Sequence, residues 1–534
     1  STLMRSSAAS DVYKRQVWYV CGYSLAFTEG NFFIGGFDKV FLHGIGINTM
    51  QGSIPEMLFM MFQMTFAILT PALMCGAFAE RMKFSALFLF MVLWSLFCYV
   101  PICHWVWGPD GWLAAAGALD YAGGTVVHIN AGVAGLVACL MLGKRIGYGK
   151  EAMAPHNLIL AMVGACFLWI GWFGFNGAST VSMEGDAIVS AGKIFVTTNL
   201  AAAVATVTVM IITWVRYKKP DVSMSLNGSL AGLVAITAGC DTVSPTSAAI
   251  IGIASGFIVV FGIEFIDKVL KIDDPVGAVG VHGLNGAFGT LAVGLFSDGA
   301  GTGWKGLLVG GGFHGFGVQF IGMAITIAWV AVTMTIIFQV IKHTIGLRVS
   351  AEEEIAGLDM KEHGLASAYD GFFVQDTMTK APTPMGTSVK APVVKHAPSA
   401  PAESVPEIPA DGVHKLTKVV IITRQSKLEE FMHAMNEIGV TGITITNVMG
   451  CGVQKGARSY YRGVEMDMNL LPKIKIEIVV SLVPVKTVID TAKKVLHTGQ
   501  YGDGKVFVYD IENVVKIRTG EEGFEALQDT QPLE

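Results

Sequence analysis

Two histidines lie in the middle of long uncharged stretches of the chain. His128 stands in TVVHINAG and His282 in VGVHGLNG, and each follows an aspartate, Asp120 or Asp274, by eight residues. Ionisable side chains inside membrane-spanning segments are rare and usually functional. A neutral imidazole donates a hydrogen bond from one nitrogen and accepts one at the other. Two imidazoles side by side therefore suit the relay of a proton or of a small polar molecule.

The pair of histidines has two interpretations. Either each imidazole satisfies a neighbouring helix through one hydrogen bond, or the two imidazoles meet in a pore. The Lys and Arg pattern of the loops makes the two stretches cross the membrane in opposite directions, which indicates a weak inverted repeat. Transporters with inverted repeats place their site at the repeat interface, near the middle of the bilayer. The sequence therefore favours histidines that meet in a pore.

The composition excludes several classes of protein. The 534 residues are 52% hydrophobic and only 15% charged, whereas soluble proteins carry about 25% charged residues. The formal net charge of −5 gives no signal for a polyanion, so no nucleic acid is expected as a partner. The sequence contains neither a nucleophile–base set nor a metal-binding cysteine spacing, so an enzyme is not expected.

Nine uncharged apolar runs are long enough to cross a bilayer, which takes about 20 residues. They are 57–79, 84–107, 121–143, 157–180, 194–215, 222–240, 242–263, 275–297 and 317–341; a shorter run, 17–27, precedes them. Lys and Arg follow the odd-numbered runs, while the opposite loops hold only Lys39, Lys193 and Lys305. Positive loops mark the cytoplasmic side, so the C-terminal part is expected in the cytoplasm. Spacings such as Gly228–Gly232 are typical of close helix packing.

Aromatic residues cluster near the outer ends of two runs, in HWVWGPDGW (104–112) and WIGWFGFNGAS (169–179). Such residues commonly form the aromatic belt at the membrane interface. A second interpretation is a cation–π site, where a small cation loses water against ring faces. Both interpretations stay open at the level of composition.

Residues from 345 onward have the composition of a soluble protein. A segment rich in Pro and Ala, 376–413, is typical of an extended tether. Beyond it the pattern predicts strands at 416–423, 442–449, 473–483 and from 505, with helices at 426–438 and 484–497. The order βαββαβ is that of a ferredoxin-like α+β domain. The polar stretch between the second and third strands is long enough to be functional.

Several long motifs resemble the ammonium transporter family (Amt/Mep/Rh), and within it the bacterial Amt branch. They include GYSLAFTEGN, DYAGGTVVHINAGVAGL, WIGWFGFNGAS and DDPVGAVGVHGLNG, and the similarity covers about 17–371. The resemblance implies a homotrimer in a prokaryotic cytoplasmic membrane, with one ammonium pore per subunit. It implies the Amt fold, an α-helical multi-pass bundle with an inverted repeat of five helices. The family's first helix and half of the second have no counterpart here, so the fold is expected to be N-terminally truncated behind an unrelated leader, 1–16.

The resemblance also implies roles for individual residues along the pore. Trp107, Phe66 and Ser179 would form the outer site that recruits ammonium. Phe66 and Phe175 would form a stacked gate below it, and Asp120 would support recruitment and the local fold.

Deeper in the pore, the same resemblance assigns three more residues. His128 and His282 would be the twin pore histidines, and Trp172 would line the path beside them.

The C-terminal part resembles the PII (GlnB/GlnK-like) nitrogen-regulatory proteins over about 415–523. The carrying motifs are GITITNVMGCGVQKG, YYRG, LPKIKIEIVV, TGQYGDGKVFV and VVKIRTGEEG. The resemblance implies trimers that bind ATP or ADP between subunits and, with Mg-ATP, also 2-oxoglutarate. The residues implied for these ligands are Gln454, Lys473, Gly502, Asp503, Gly504, Lys505, Lys516 and Arg518, with Gln454 serving Mg through the effector. Arg462, at the tip of the T-loop, would enter a channel's cytoplasmic mouth.

The sequence therefore predicts an ammonium channel with its own gate attached. The domains expected are a leader (1–16), a membrane domain (17–344), a cytoplasmic C-terminal region (345–375), a linker (376–413) and a PII-like domain (414–534). The PII domain would dock on the pore of its own subunit or of a neighbour. The alternative is an ammonium sensor, in which the membrane domain signals through the PII domain with little flux. A gas channel of the Rh type is disfavoured by Phe66 and Trp107.

Overall fold

The computed structural model describes most of the membrane part and most of the C-terminal domain. The described residues are 14–149, 153, 157–300, 302–358, 362, 415–424, 427–440, 442–450, 458–461, 464–467, 471–499 and 503–527. The predicted linker, 376–413, lies outside them. The chain divides into two compact units, Ser1–Leu358 and Asp359–Glu534, and each is described by itself.

Long apolar helices make up the first unit. They are α1 (Glu56–Phe78), α2 (Phe84–Ala115), α3 (Gly124–Leu142), α4 (Leu158–Thr180), α5 (Asp186–Tyr217), α6 (Val222–Thr237), α7 (Pro245–Val269), α8 (Val279–Phe296) and α9 (Phe313–Thr344). Within the described residues, all except the shorter α6 are long and apolar enough to cross a membrane. Each predicted run corresponds to one helix, and a multi-pass α-helical membrane protein is confirmed.

The segment ahead of α1 belongs to the same unit. The predicted run 17–27 forms two consecutive helical segments, Trp18–Gly22 and Tyr23–Phe27. A hairpin of two short strands, β1 (Met50–Gln51) and β2 (Ile54–Pro55), leads into α1. Lys14, which precedes this run, donates a hydrogen bond to the carbonyl oxygen of Ile68 on α1 at 2.9 Å.

Small residues allow α6 to pack closely against α5. A Cβ atom at Gly232 would lie 2.5 Å from the carbonyl oxygen of Ala201, and one at Gly228 would lie 2.7 Å from the Val209 side chain. The packing role predicted for the Gly228–Gly232 spacing is therefore confirmed.

The chain beyond α9 continues along the first unit as far as Leu358. The backbone N–H of Val349 donates to the carbonyl oxygen of Arg81 at 3.1 Å, and the backbone N–H of Lys83 donates to the carbonyl oxygen of Leu347 at 3.0 Å. The short helix α10 (Ala351–Ala356) follows, with a capping box between Ser350 and Glu353.

The second unit contains a four-stranded antiparallel sheet and two helices. Its main elements are β3 (Thr417–Thr423), α11 (Leu428–Glu437), β4 (Ile443–Gly450), β7 (Leu471–Val480), α12 (Val485–Leu496) and β8 (Lys505–Asp510). The strand order β4–β7–β3–β8 gives the predicted ferredoxin-like fold. Alternate strand residues such as Val419, Ile421 and Ile476 pack against Phe431 and Val488 of the helices.

The sequence prediction missed one hairpin in this unit. β5 (Arg458–Tyr461) pairs antiparallel with β6 (Val464–Asp467) inside the stretch expected to be a long loop. Four-residue strands are too short to show an alternating pattern, so periodicity gave no signal for them.

Candidate functional site

Five aromatic and imidazole rings from five helices form a continuous file through the first unit. Trp107 and Phe66 have ring centroids 5.3 Å apart, and Phe66 lies 4.7 Å from Phe175 in an edge-to-face contact. The Phe175 ring lies 5.7 Å from that of His128, which in turn lies 5.4 Å from the nearly parallel ring of His282. The structure thus brings together residues that the sequence analysis assigned to one pathway.

Trp172 holds the central histidine from the side. Its ring stacks on His128 at 5.3 Å with an interplanar angle of 15°, and lies 5.1 Å from Phe175. The indole N–H donates to the Thr237 hydroxyl at 2.9 Å, so α6 fixes the plane of the ring. Thr237 was not singled out from the sequence, because its partner lies 65 positions away.

The imidazoles are buried without the hydrogen bonds that buried polar atoms usually make. His128 is 0% exposed and His282 is 5% exposed. Within the described part of the chain, neither ring nitrogen of His128 nor Nδ1 of His282 has a hydrogen-bond partner. These nitrogens are available to a small donor or acceptor, which opposes the interpretation that each imidazole merely satisfies a neighbouring helix.

The helices that carry the two histidines cross at glycines. A Cβ atom at Gly132 would lie 2.0 Å from the backbone nitrogen of Gly283, and one at Gly286 would lie 3.0 Å from the Cβ atom of His128. Residue numbers therefore rise on α3 as they fall on α8, so the two helices run in opposite directions. Gly132 and Gly286 each stand four residues after one of the two histidines, a shared signal that the sequence analysis overlooked.

Both histidines also stand in wide π-helical turns. The turns are Gly124–Ile129 and Val279–Leu284, at the start of α3 and of α8. Such turns occur frequently at functional sites. The matched turns extend the internal repeat that the sequence indicated.

Asp120 is the cap of α3. Its carboxylate accepts the backbone N–H groups of Gly123 at 2.8 Å, Gly124 at 2.5 Å, Thr125 at 2.7 Å and Val126 at 3.1 Å. The Thr125 hydroxyl also donates to it. This arrangement matches the expected role of Asp120 in the local fold, because the cap satisfies the exposed amides of a helix start.

Two residues of the predicted outer site, Trp107 and Ser179, donate hydrogen bonds to backbone carbonyl oxygens. The indole N–H of Trp107 donates to the carbonyl oxygen of Asp120 at 2.7 Å. Ser179 lies one turn beyond Phe175, to whose carbonyl oxygen its hydroxyl donates at 2.9 Å. The hydroxyl oxygen of Ser179 keeps its lone pairs available as an acceptor.

In the second unit, the turn before β8 is shaped by Asp503 and Gly504. The carboxylate of Asp503 accepts the backbone N–H groups of Thr498 at 2.8 Å and Gly499 at 3.2 Å. Gly504 has a φ of +117°, and a Cβ atom there would lie 2.1 Å from the carbonyl oxygen of Ile422. Only glycine fits at this position, and a tight turn of this kind suits the close approach of a phosphate.

Of the basic residues predicted to hold ligands, Lys505 follows this turn directly. Lys505 starts the exposed edge strand β8, and Arg518 is exposed. Lys516 forms an ion pair with Glu521 at 3.4 Å, and Lys473 stands opposite Val448 across β7 and β4. The predicted residues Gln454, Gly502 and Arg462 lie outside the described residues.

Family comparisons cover both units. The model described as Ammonium Transporter Family matches residues 5–369, which begins earlier than the predicted 17, and the model described as Nitrogen regulatory protein P-II matches residues 416–521.

Two relatives agree with the first of these matches. The ammonium transporter of Bacillus subtilis (strain 168) is 42% identical over 354 residues, 65% of this chain and 85% of the relative. The ammonium transporter of Aquifex aeolicus (strain VF5) is 42% identical over 350 residues, 65% of this chain and 80% of the relative.

Two solved structures share the fold. One is titled "Sensor Amt Protein" (TM-score 0.61, 33% identity, 67% of this chain and 88% of the other), and one is Saccharomyces cerevisiae Mep2 (TM-score 0.60, 32% identity, 65% and 82%). The chain belongs to the ammonium transporter family and carries a nitrogen regulatory P-II domain at its C-terminus.

Proposed function

We propose that the first unit conducts ammonium through the ring file and that the fused P-II domain gates this flux in response to nucleotide and 2-oxoglutarate. The observation that carries the transport part is the buried pair of stacked imidazoles, in which both nitrogens of His128 and Nδ1 of His282 have no hydrogen-bond partner among the described residues. Membership of the family supports the same function.

The ring file suggests a sequence of events. A hydrated ammonium ion is recruited beside Trp107, Phe66 and Ser179, where ring faces replace part of its water by cation–π contact. The edge-to-face pair of Phe66 and Phe175 closes the path to hydrated ions until the rings move apart. Beyond it, the imidazoles exchange hydrogen bonds with the travelling species. Passage as NH4+, as NH3, or as NH3 with a separated proton fits this arrangement.

The P-II domain supplies the gate in this proposal. Gly502, Asp503, Gly504, Lys505, Lys516 and Arg518 would hold the phosphates of ATP or ADP, and Gln454 and Lys473 would serve Mg and 2-oxoglutarate. Bound nucleotide and 2-oxoglutarate supply the charge that reshapes the T-loop, which shifts the blocked and open populations. ADP with little 2-oxoglutarate favours the blocked state, and ATP with 2-oxoglutarate favours the open state.

A homotrimer makes this gate efficient. Both families form trimers, so in this proposal one three-fold axis would serve both units. A tether of 38 residues, 376–413, raises the effective concentration of the T-loop tip, Arg462, at a pore mouth of the same or a neighbouring subunit.

An ammonium sensor with little flux is the second candidate. The observation that favours it is the similarity to the solved structure titled "Sensor Amt Protein", at 33% identity and a TM-score of 0.61. In this version, occupancy of the ring file changes the ligand affinity of the P-II domain.

Ammonium-driven current in proteoliposomes separates the two functions. The full chain is measured with ADP at the P-II side, then with Mg-ATP and 2-oxoglutarate. A current only in the second condition is the expected result. The variant Arg462→Ala should conduct in both conditions, because the plug is lost while the pore is unchanged. No current in either condition, together with ammonium-dependent nucleotide affinity, would establish the sensor instead.

A further inference from the structure

Two neighbouring carboxylates precede the helix that carries His282, and only one of them caps it. Asp274 accepts the backbone N–H groups of Ala278 at 3.1 Å and Val279 at 2.8 Å, at the start of α8. Asp273 turns instead to two arginines from other loops and is 2% exposed.

Arg81, which follows α1, contacts Asp273 from one side. Its guanidinium is 0% exposed and lies 3.3 Å from the carboxylate, while Nη2 donates to the backbone carbonyl of Asp273 at 2.8 Å. The same Nη2 donates to the carbonyl of Ala77 at the end of α1, at 2.9 Å. Arg81 therefore ties α1 to both the side chain and the backbone of Asp273.

Arg145, which follows α3, contacts the same carboxylate from the other side. Its backbone N–H donates to Oδ2 at 2.7 Å, Nε donates to Oδ2 at 3.0 Å, and Nη2 donates to Oδ1 at 2.9 Å. Its remaining Nη1 reaches the exposed Glu80 at 3.0 Å. Burial alone would raise the pKa of Asp273, but the hydrogen bonds and charge of Arg145, with the charge of Arg81, hold it below its ordinary value.

We infer that Asp273, held by Arg81 and Arg145, is a positioning residue that fixes the His282 ring against the His128 ring. The cluster joins the loops after α1 and α3 to the residue before the α8 cap. His282 lies three residues beyond Val279, whose backbone N–H Asp274 accepts, which is about 4.5 Å along the helix. A displaced helix start therefore displaces the ring, and a misplacement of about 1 Å can reduce a rate up to about a hundredfold.

The ion pairs of Asp273 are better suited to fix the position of the helix start than to increase the stability of the fold. Buried ion pairs contribute little net stability compared with apolar side chains of the same volume. A forked guanidinium on a carboxylate, by contrast, fixes direction as well as distance. The inference rests on the proposed flux for one of its tests, and a second test is independent of flux.

The first test compares Arg145→Lys with Arg216→Lys in the full chain, in the same proteoliposomes as wild type. Arg145→Lys keeps the charge beside Asp273 but loses the fork. Arg216 pairs with Glu264 at 2.8 Å on the exposed surface and is the matched control. We expect the maximal current per folded trimer to fall at least about tenfold in Arg145→Lys with an unchanged KM, and to be unchanged in Arg216→Lys. A maximal current in Arg145→Lys equal to that of wild type would overturn the inference. This result can be read even if Asp273→Asn, which removes the carboxylate itself, fails to fold.

The second test measures hydrogen exchange in the purified full-length protein. Arg145→Lys should speed exchange in 279–284 at the start of α8 and leave 124–129 at the start of α3 unchanged. Unchanged exchange in 279–284 overturns the inference whether or not wild type carries current. A wild-type protein without current, in contrast, counts against the proposed transport alone.

Discussion

The helices that carry His128 and His282 share a plan but begin differently. Each has an aspartate eight residues before its histidine, a π-helical turn around it and a glycine four residues after it. α3 begins with the many hydrogen bonds accepted by Asp120. α8 begins with the two accepted by Asp274 and relies on the neighbouring Asp273 for its link to other loops.

The difference shows two ways to fix a ring in a membrane protein. The carboxylate of Asp120 accepts only N–H and hydroxyl groups of its own helix start, with no lysine or arginine among its partners in the described residues. The start of α8 depends on guanidinium groups from two distant loops.

The largest effect is expected from removing the caps one at a time. Asp120→Ala should lower the current per folded trimer by more than about a hundredfold, because about five hydrogen bonds at a buried helix start are lost. Asp274→Ala should lower it about tenfold, because fewer bonds are lost and Asp273 still holds the loop.

Currents in proteoliposomes, normalised to folded protein, measure both losses. Asp221→Ala removes the cap of α6, where Asp221 accepts Met224 N at 2.9 Å, and is the control for a generic cap. Equal losses in Asp120→Ala and Asp274→Ala would contradict the proposed division of labour between the two helix starts.

The next effect concerns the glycines at the crossing. Gly132→Ala places a Cβ atom 2.0 Å from backbone, which cannot yield, whereas at Gly286 the nearest atom is 3.0 Å away. We expect the ring pair to separate in the first variant, with a loss of current of about twentyfold, against about threefold for Gly286→Ala. Gly164→Ala on α4 meets nothing within 4 Å and should conduct like wild type. A larger loss in Gly286→Ala than in Gly132→Ala would show that the crossing is set elsewhere.

Much of this architecture is readable from sequence because its signals are local. Each of the nine apolar runs corresponds to a helix among the described residues, and the opposite directions of the two histidine-bearing runs predicted a meeting of the rings. Membrane spans are long and uniform in composition, so even a single sequence defines them well.

What the sequence did not reveal depends on contacts between distant positions. The bond from Trp172 to Thr237 and the pairing of Arg81 with Asp273 join residues 65 and 192 positions apart. Neither leaves a periodic pattern. The hairpin of β5 and β6 was missed for the opposite reason, because its strands are too short for a period to develop.

A smaller effect is expected from the ring that orients His128. Thr237→Val removes the acceptor of the buried Trp172 N–H, and one unsatisfied buried donor costs about 1–3 kcal/mol. The current should fall about fivefold as the Trp172 plane becomes less defined. Thr326→Val is the control, since the buried Thr326 hydroxyl bonds only to Gly322 of its own helix in the described structure. If both variants conduct alike, the orientation of Trp172 does not depend on this bond.

The smallest effect concerns a third carboxyl group, that of Asp241. Asp241 lies between α6 and α7, and its Oδ1 is buried without a hydrogen-bond partner in the described residues. Burial raises its pKa to about 7; the backbone N–H groups of Asp241 and Thr242 and the charge of Lys193 oppose this shift, and Asp298 increases it. Asp273 shows the reverse, because its arginines lower its pKa.

The two carboxyl groups should therefore respond oppositely to pH. Between pH 3.8 and 7 the unfolded chain ionises at Asp241 while the folded protein keeps the proton, so stability falls as pH rises and the penalty is constant above 7. Asp241→Asn cannot ionise and should raise the apparent Tm at pH 8 by roughly 2–5 °C, with no effect near pH 4. Asp273→Asn should lower Tm at pH 8, because the stability supplied by an ionised Asp273 is present at neutral pH and disappears only as pH falls through its lowered pKa. Thermal unfolding of both variants in detergent at the two pH values measures these differences against wild type. A lower apparent Tm of Asp241→Asn at pH 8 would mean that the folded protein stabilises the ionised form of Asp241. In that case Asp241 and Asp273 would respond to pH in the same direction.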